Sequence, residues 1–173
     1  MNITEGRDAA VYHGTTLPGL LAILATDTLG REGDPEHGGG FVCVSRDKGY
    51  ARRFVGSPEA AVLVLDQAKL TQRYKIVPYD KDWNAIDAIL KAEEGDDWLG
   101  PVERFDEMEE RIYGTIHPLS RYLLGIEVGG DYLRDFGPHA IGWETAVKHL
   151  GNDEDVRSAI AALLSNPLVV LRP

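Results

Sequence analysis

AAVYHGTTLPGLLAIL, residues 9–24, changes from one hydrophobic periodicity to another partway along. Apolar and polar residues alternate over 9–15 with the period of a half-buried strand, and Leu17–Ala25 then take up helical spacing. Pro18 suits a first helical turn, where its missing N–H has no partner to lose. His13 and Gly14 stand between the apolar run and the helix. An imidazole at a strand end can hydrogen-bond a ligand, and a residue without a side chain lets the backbone approach that ligand closely. The same histidine can instead cap its strand or bond the core, and the glycine can form a turn. Residues 9–24 alone leave both readings open.

Beyond this stretch, the glycine-rich REGDPEHGGG of residues 31–40 leads to FVCVS, 41–45, a second short strand. RDKGYARRF, 46–54, reads as helix or turn, and AAVLVLD, 60–66, as a third strand. RYKIVPY, 73–79, makes a fourth. DWNAIDAILKAEEGDD, 82–97, carries a helical face of Trp83, Ile86, Ile89 and Leu90. EERIYGTI, 109–116, and RYLLGIEV, 121–128, read as strands. DEDVRSAIAALLSN, 153–166, reads as a helix capped by Asn152 or Asp153, followed by an apolar LVVL at 168–171. No repeat, low-complexity tract or linker divides residues 1–173, so one domain is expected. Short strands with irregular helices between them predict an α+β fold and argue against a regularly alternating parallel sheet.

Eighteen Lys and Arg face twenty-eight Asp and Glu, a formal charge of -10, which repels a polyanion unless the cations are gathered in one place. Extended nucleic acid is therefore not an expected partner. The acid is unevenly spread: Glu93, Glu94, Asp96, Asp97, Glu103, Asp106, Glu107, Glu109 and Glu110 crowd into one region. With Cys43 the single cysteine, no intrachain disulfide can form and a four-cysteine zinc site is excluded, which points to the cytoplasm. No apolar run reaches the roughly 20 residues of a membrane-spanning helix, and MNITEGRDAA lacks the parts of a signal peptide, so no membrane association is expected and the mature chain is expected to begin near Met1.

Few residues have chemistry to offer. HGGG, with His37, has too few ligand types beside it for a metal, and no metal site is expected. Ser45 closes the second strand, and Tyr50 lies about a turn and a half into the next element, where its ring can face a planar ligand or the core. Arg46, Arg52 and Arg53 are within reach of a pyrophosphate if they are not simply solvated. Glu110 differs from its acidic neighbours because it opens an apolar strand, which fixes its direction as a loop would not. An edge-strand charge that discourages aggregation is the alternative role.

YHGT, then FVCVSRDKGYA with serine and tyrosine five apart, then EERIYG opening a later strand, resembles the ADP-ribosyltransferase superfamily in its His-Tyr-Glu branch, the diphtheria-toxin and poly(ADP-ribose) polymerase type. The resemblance covers about residues 11–128; residues 129–173 would be a C-terminal helical extension and final strand. It implies two small, mostly antiparallel sheets around an NAD cleft with flanking helices. It implies no metal, with NAD as the substrate. His13 would bond a ribose hydroxyl at the adenosine end of NAD, and Gly14, followed by Thr15 in the motif, would offer its N–H and C=O to the nicotinamide carboxamide. Tyr50 would stack on the nicotinamide ring, and Ser45 would support that wall, Glu110 being one partner open to it. Arg46 falls within the same NAD-binding set. Glu110 would stabilise the oxocarbenium ion that develops as nicotinamide departs.

The expected activity is mono-ADP-ribosyl transfer to a protein, in the manner of the small toxin-like enzymes of bacteria and their phages. NAD hydrolysis, or an NAD-binding module without catalysis, are the alternatives. Two features depart from the branch. Glu107 and Glu109 have the Glu-x-Glu spacing of arginine-specific members, whose first strand carries arginine where this chain has His13; Ile112 two residues after Glu110 favours Glu110, with Glu109 second. The segment between Tyr50 and Glu110 is long, and its acidic WLGPVERFDEME, with Trp98 and Phe105, points to a basic protein surface as acceptor.

Overall fold

The computed structural model describes residues 9–30, 41–55, 60–78 and 110–173. The alternation at the start becomes strand β1 (Ala10–Thr16), and Thr16 doubles as the cap of helix α1 (Leu17–Thr26), its hydroxyl accepting from Gly19 N at 3.2 Å. Pro18 sits in the first turn of that helix, as expected. Asp27 ends the helix in the left-handed region, φ 50, and its carboxylate accepts from Ser120 N at 2.7 Å and Ser120 Oγ at 2.9 Å. The single turn Leu119–Arg121 is thereby tied to α1.

The chain continues through β2 (Phe41–Val44), α2 (Lys48–Phe54), β3 (Ala60–Asp66), α3 (Gln67–Thr71), β4 (Ile76–Pro78), β5 (Glu110–Tyr113) and β6 (Leu123–Gly129). It closes with α4 (Gly130–Asp135), α5 (Trp143–Leu150), α6 (Asp153–Ser165) and β7 (Val169–Arg172). Asn152, not Asp153, caps α6: its Oδ1 accepts from Asp155 N at 2.8 Å, while Asp153 accepts from the Trp143 indole N–H at 2.7 Å. Strands β4 and β6 start later than their sequences predict. Arg73 N and Tyr74 N both bond Leu70 O, so the first residues of 73–79 finish a turn. Arg121 N and Tyr122 N likewise bond Pro118 O and Leu119 O, so β6 starts only at Leu123. The predicted helical face of Trp83, Ile86, Ile89 and Leu90, the glycine-rich segment with His37, and the acidic stretch with Trp98, Phe105, Glu107 and Glu109 lie outside the described residues.

The fold is mixed α+β with two small sheets and several helices. One sheet has the order β1-β3-β6-β7, antiparallel except for the parallel pair β6-β7; the other has the order β2-β5-β4 and is antiparallel throughout. Val11, Leu63, Leu65, Ile126 and Val128 of the larger sheet and Val42, Val44 and Ile112 of the smaller are buried in one cluster with Leu17, Leu20 and Leu21 of α1. Leu133, Trp143, Ala146, Val156 and Leu163 belong to the same cluster, so the C-terminal helices complete this core. Each fully buried Leu or Ile contributes about 2 kcal/mol of transfer free energy, which holds the two sheets and these helices together.

Candidate functional site

A backbone bridge joins the first strands of the two sheets. Tyr12 N donates to Ser45 O and Ser45 N to Tyr12 O, both at 2.8 Å, an antiparallel bridge just past the end of β2. In an antiparallel strand, alternate residues turn their N–H and C=O to the same edge. Since Tyr12 turns its peptide groups toward Ser45, Gly14 turns its own to that edge too, on the side from which β2 departs. His13 is paired with Leu63 on β3, and its side chain points to the buried face with Val11, being 2% exposed. Its Nδ1 lies 2.7 Å from Cys43 O. A carbonyl only accepts, so Nδ1 carries a proton, and in the neutral ring the lone pair is then on Nε2. Thus His13 spans the gap that opens between β1 and β2. Bonding the core, one of the two roles open to it from sequence, is one it fills.

Helix α2 is set by the turn that follows. Ser45, 2% exposed, accepts on Oγ from Asp47 N at 3.0 Å, and Asp47 Oδ1 accepts from Tyr50 N at 2.6 Å as the helix cap. Tyr50 is half-buried in the first turn, and Ala51 lies on Gly14. The Ser45 hydroxyl serves the Asp47 turn, and among the described residues no hydrogen bond joins it to Glu110. Thr15 turns toward α1, where its Oγ1 would lie 2.4 Å from a Cβ placed on Gly19.

Glu110 opens β5 and is paired with Val44 on β2 and with Pro78 on β4. It is 8% exposed, and its strand holds it on the inner face with Ile112. The Arg46 Nε–H donates to Glu110 Oε1 at 2.8 Å, and Arg46 Nη1 donates to Gln67 Oε1 at 3.2 Å. Among the described residues Glu110 Oε2 is buried with no hydrogen-bond partner. One carboxylate oxygen is therefore committed and the other is not.

His13, Gly14, Ser45, Arg46 and Glu110 are brought together by two adjacent pairings, Tyr12 with Ser45 and Val44 with Glu110, and Tyr50 is brought in by α2. Gln67 is the member that sequence reading missed. It follows an Asp at the end of an apolar strand, and nothing in its neighbourhood signals a distant arginine. A cavity of about 470 Å³ lies elsewhere, lined mainly by Leu21, Leu24, Leu119, Leu123, Leu163 and Leu168, and shares no residue with this cluster. Its one titratable group, Asp27, is engaged by Ser120. Among the described residues no helix is long and apolar enough to cross a membrane. No family model, curated protein or solved structure matches the chain.

Proposed function

We propose that the protein is an NAD-dependent mono-ADP-ribosyltransferase, with Glu110 as its catalytic residue and a protein as acceptor. The observation that carries this reading is the convergence just described: the His13–Gly14 edge of β1 and the carboxylate that opens β5 are far apart in sequence, yet they end at one divergence of strands. In this reading the Gly14 peptide holds the nicotinamide carboxamide, Tyr50 stacks on the ring, and His13 Nε2 accepts from a ribose hydroxyl of the adenosine. The glycosidic bond between ribose C1′ and the nicotinamide nitrogen breaks, its electron pair going to that nitrogen, so the leaving group departs neutral. Positive charge develops on the ribose, and the Glu110 carboxylate stabilises it. The acceptor then forms its bond to C1′ and releases a proton. The acidic composition around residues 93–110 favours a basic acceptor surface.

The test is incubation with NAD labelled in the adenosine half, with and without a whole-cell lysate, read for nicotinamide release and for ADP-ribosylated peptides. Label on protein is the expected result. Free ADP-ribose with no labelled product makes water the acceptor and the protein a hydrolase; NAD binding with no nicotinamide release makes it a binding module. Absence of NAD binding up to about millimolar overturns the reading altogether.

A further inference from the structure

Glu110 has its two oxygens in different states. Oε1 receives the Arg46 Nε–H at 2.8 Å, and the same guanidinium is anchored at its other end on Gln67 Oε1 at 3.2 Å; Oε2 is buried with no partner among the described residues. The Glu110 side chain is 10% exposed, whereas that of Arg46 is 54% exposed. A carboxylate buried to that degree is disfavoured as an anion unless a cation or donors meet it, and it rotates about its last torsion unless something holds one oxygen. The planar fork of arginine does both at once, where a lysine ammonium would supply charge without direction. Arg46 immediately follows Ser45, so the bridge to Tyr12 fixes the backbone from which it reaches. Gln67 opens α3, and its N–H bonds Ala9 O, so the far anchor is fixed to the start of β1.

We propose that Arg46 and Gln67 form a positioning clamp that holds Glu110 through Oε1 and aims Oε2 at the reacting ribose. This rests on the transferase reading and assigns Arg46 to the carboxylate, not to the pyrophosphate of NAD. Gln67 acts only through Arg46. The clamp fixes the carboxylate through one oxygen and leaves the other, which must face a developing cation, without a donor among the described residues.

Nicotinamide release at saturating NAD, the KM for NAD and the thermal midpoint, measured for wild type, Arg46→Gln, Arg46→Lys and Gln67→Ala, test it. A misplacement on the order of 1 Å costs up to about 100-fold in rate, so Arg46→Gln should lower kcat at least about 10-fold with KM changed by less than about 3-fold. Arg46→Lys, which restores charge on Oε1, should recover part of that loss, and Gln67→Ala should show a smaller fall, again in kcat. A rise in KM alone for Arg46→Gln puts Arg46 on the dinucleotide phosphates and overturns the clamp. Unchanged kcat in both Arg46→Gln and Gln67→Ala overturns it as well. If Arg46→Gln does not fold, Gln67→Ala decides, unchanged kcat there being the adverse result. A wild-type protein that does not cleave NAD defeats the transferase reading and the clamp with it, whereas active wild type with indifferent variants defeats the clamp only.

Discussion

Gly14 lies directly beneath the carbonyl oxygen of Ala51: a Cβ built on Gly14 would come to 1.9 Å from that oxygen and 2.8 Å from its carbon. The neighbour is helix backbone, which cannot step aside as the tip of a flexible side chain can. The seat of α2 on β1 therefore demands this glycine before any ligand is considered. A Gly14 variant that loses NAD is thus no proof of a backbone clamp, because its fold is disturbed first.

Gly14→Ala is accordingly expected to destabilise the protein by about 1–3 kcal/mol, the ordinary cost of overpacking. Gly30→Ala, with nothing among the described residues within 4 Å of the added carbon, should stay within about 0.5 kcal/mol of wild type. Denaturant midpoints of the two variants check this. Equal midpoints would mean that α2 is not seated on Gly14.

The strands and the two longest helices were legible because their signals are local. Alternation marks β1, short apolar runs beside turn residues mark β2 and β3, and Asn152 is one of two caps that the sequence offers for α6. Within the helical extension expected over 129–173, the sequence does not mark the separate helices between 129 and 152. α4 has six residues and no side-chain cap, and α5 is preceded at its cap by Gly142, φ 95, a glycine that reads as a turn. α3 went unseen because Asp66 ends β3 and caps α3 at once, its Oδ1 accepting from Lys69 N at 3.0 Å. At the candidate site, His13, Ser45, Tyr50 and Glu110 stood out by residue type and order. That Arg46 serves Glu110 was not readable, since the pair depends on β2 lying beside β5, which no periodicity encodes.

Lys48 Nζ donates to Glu127 Oε1 at 2.8 Å, from α2 across to β6. That hydrogen bond first, and the carboxylate charge second, hold Lys48 above its ordinary pKa of 10.5, against a small opposing effect of burial. The folded value being the higher, the stabilisation is complete below the unfolded pKa and is lost as pH rises through the folded one. The lysine side chain is 49% exposed, so screening keeps the pair below about 1 kcal/mol. Lys48→Met should lower the midpoint slightly at about pH 8, and the gap from wild type should shrink by about pH 11. A gap that widens with pH contradicts the pairing.

Tyr50 is half-buried at the start of α2, and in the proposed function its ring is the wall for nicotinamide. Tyr50→Ala should weaken NAD binding by on the order of 1 kcal/mol beyond the area lost, and Tyr50→Phe should restore most of it. Calorimetric titration with NAD separates the two. Phe and Ala variants that are folded and equally weak would assign the effect to the phenol hydroxyl, and stacking would be the wrong role.

The mechanism rests on Glu110. Glu110→Gln keeps the shape of the side chain, and its amide oxygen can still accept from Arg46 Nε, so the strand and the Arg46 anchor should survive. What is lost is the negative charge where a cation develops. Nicotinamide release should therefore fall by about 100-fold or more while NAD affinity changes little, binding and chemistry coming apart in one variant. Glu109→Gln should leave NAD cleavage nearly intact, and Glu107→Gln should at most change the choice of acceptor. The decisive measurement is nicotinamide release for the three variants beside their NAD affinities and thermal midpoints. A dead Glu109→Gln with an active Glu110→Gln would move the catalytic role by one residue and favour the Glu-x-Glu type of transferase. If all three stay active, no carboxylate at this strand stabilises the transition state, and the proposed mechanism fails.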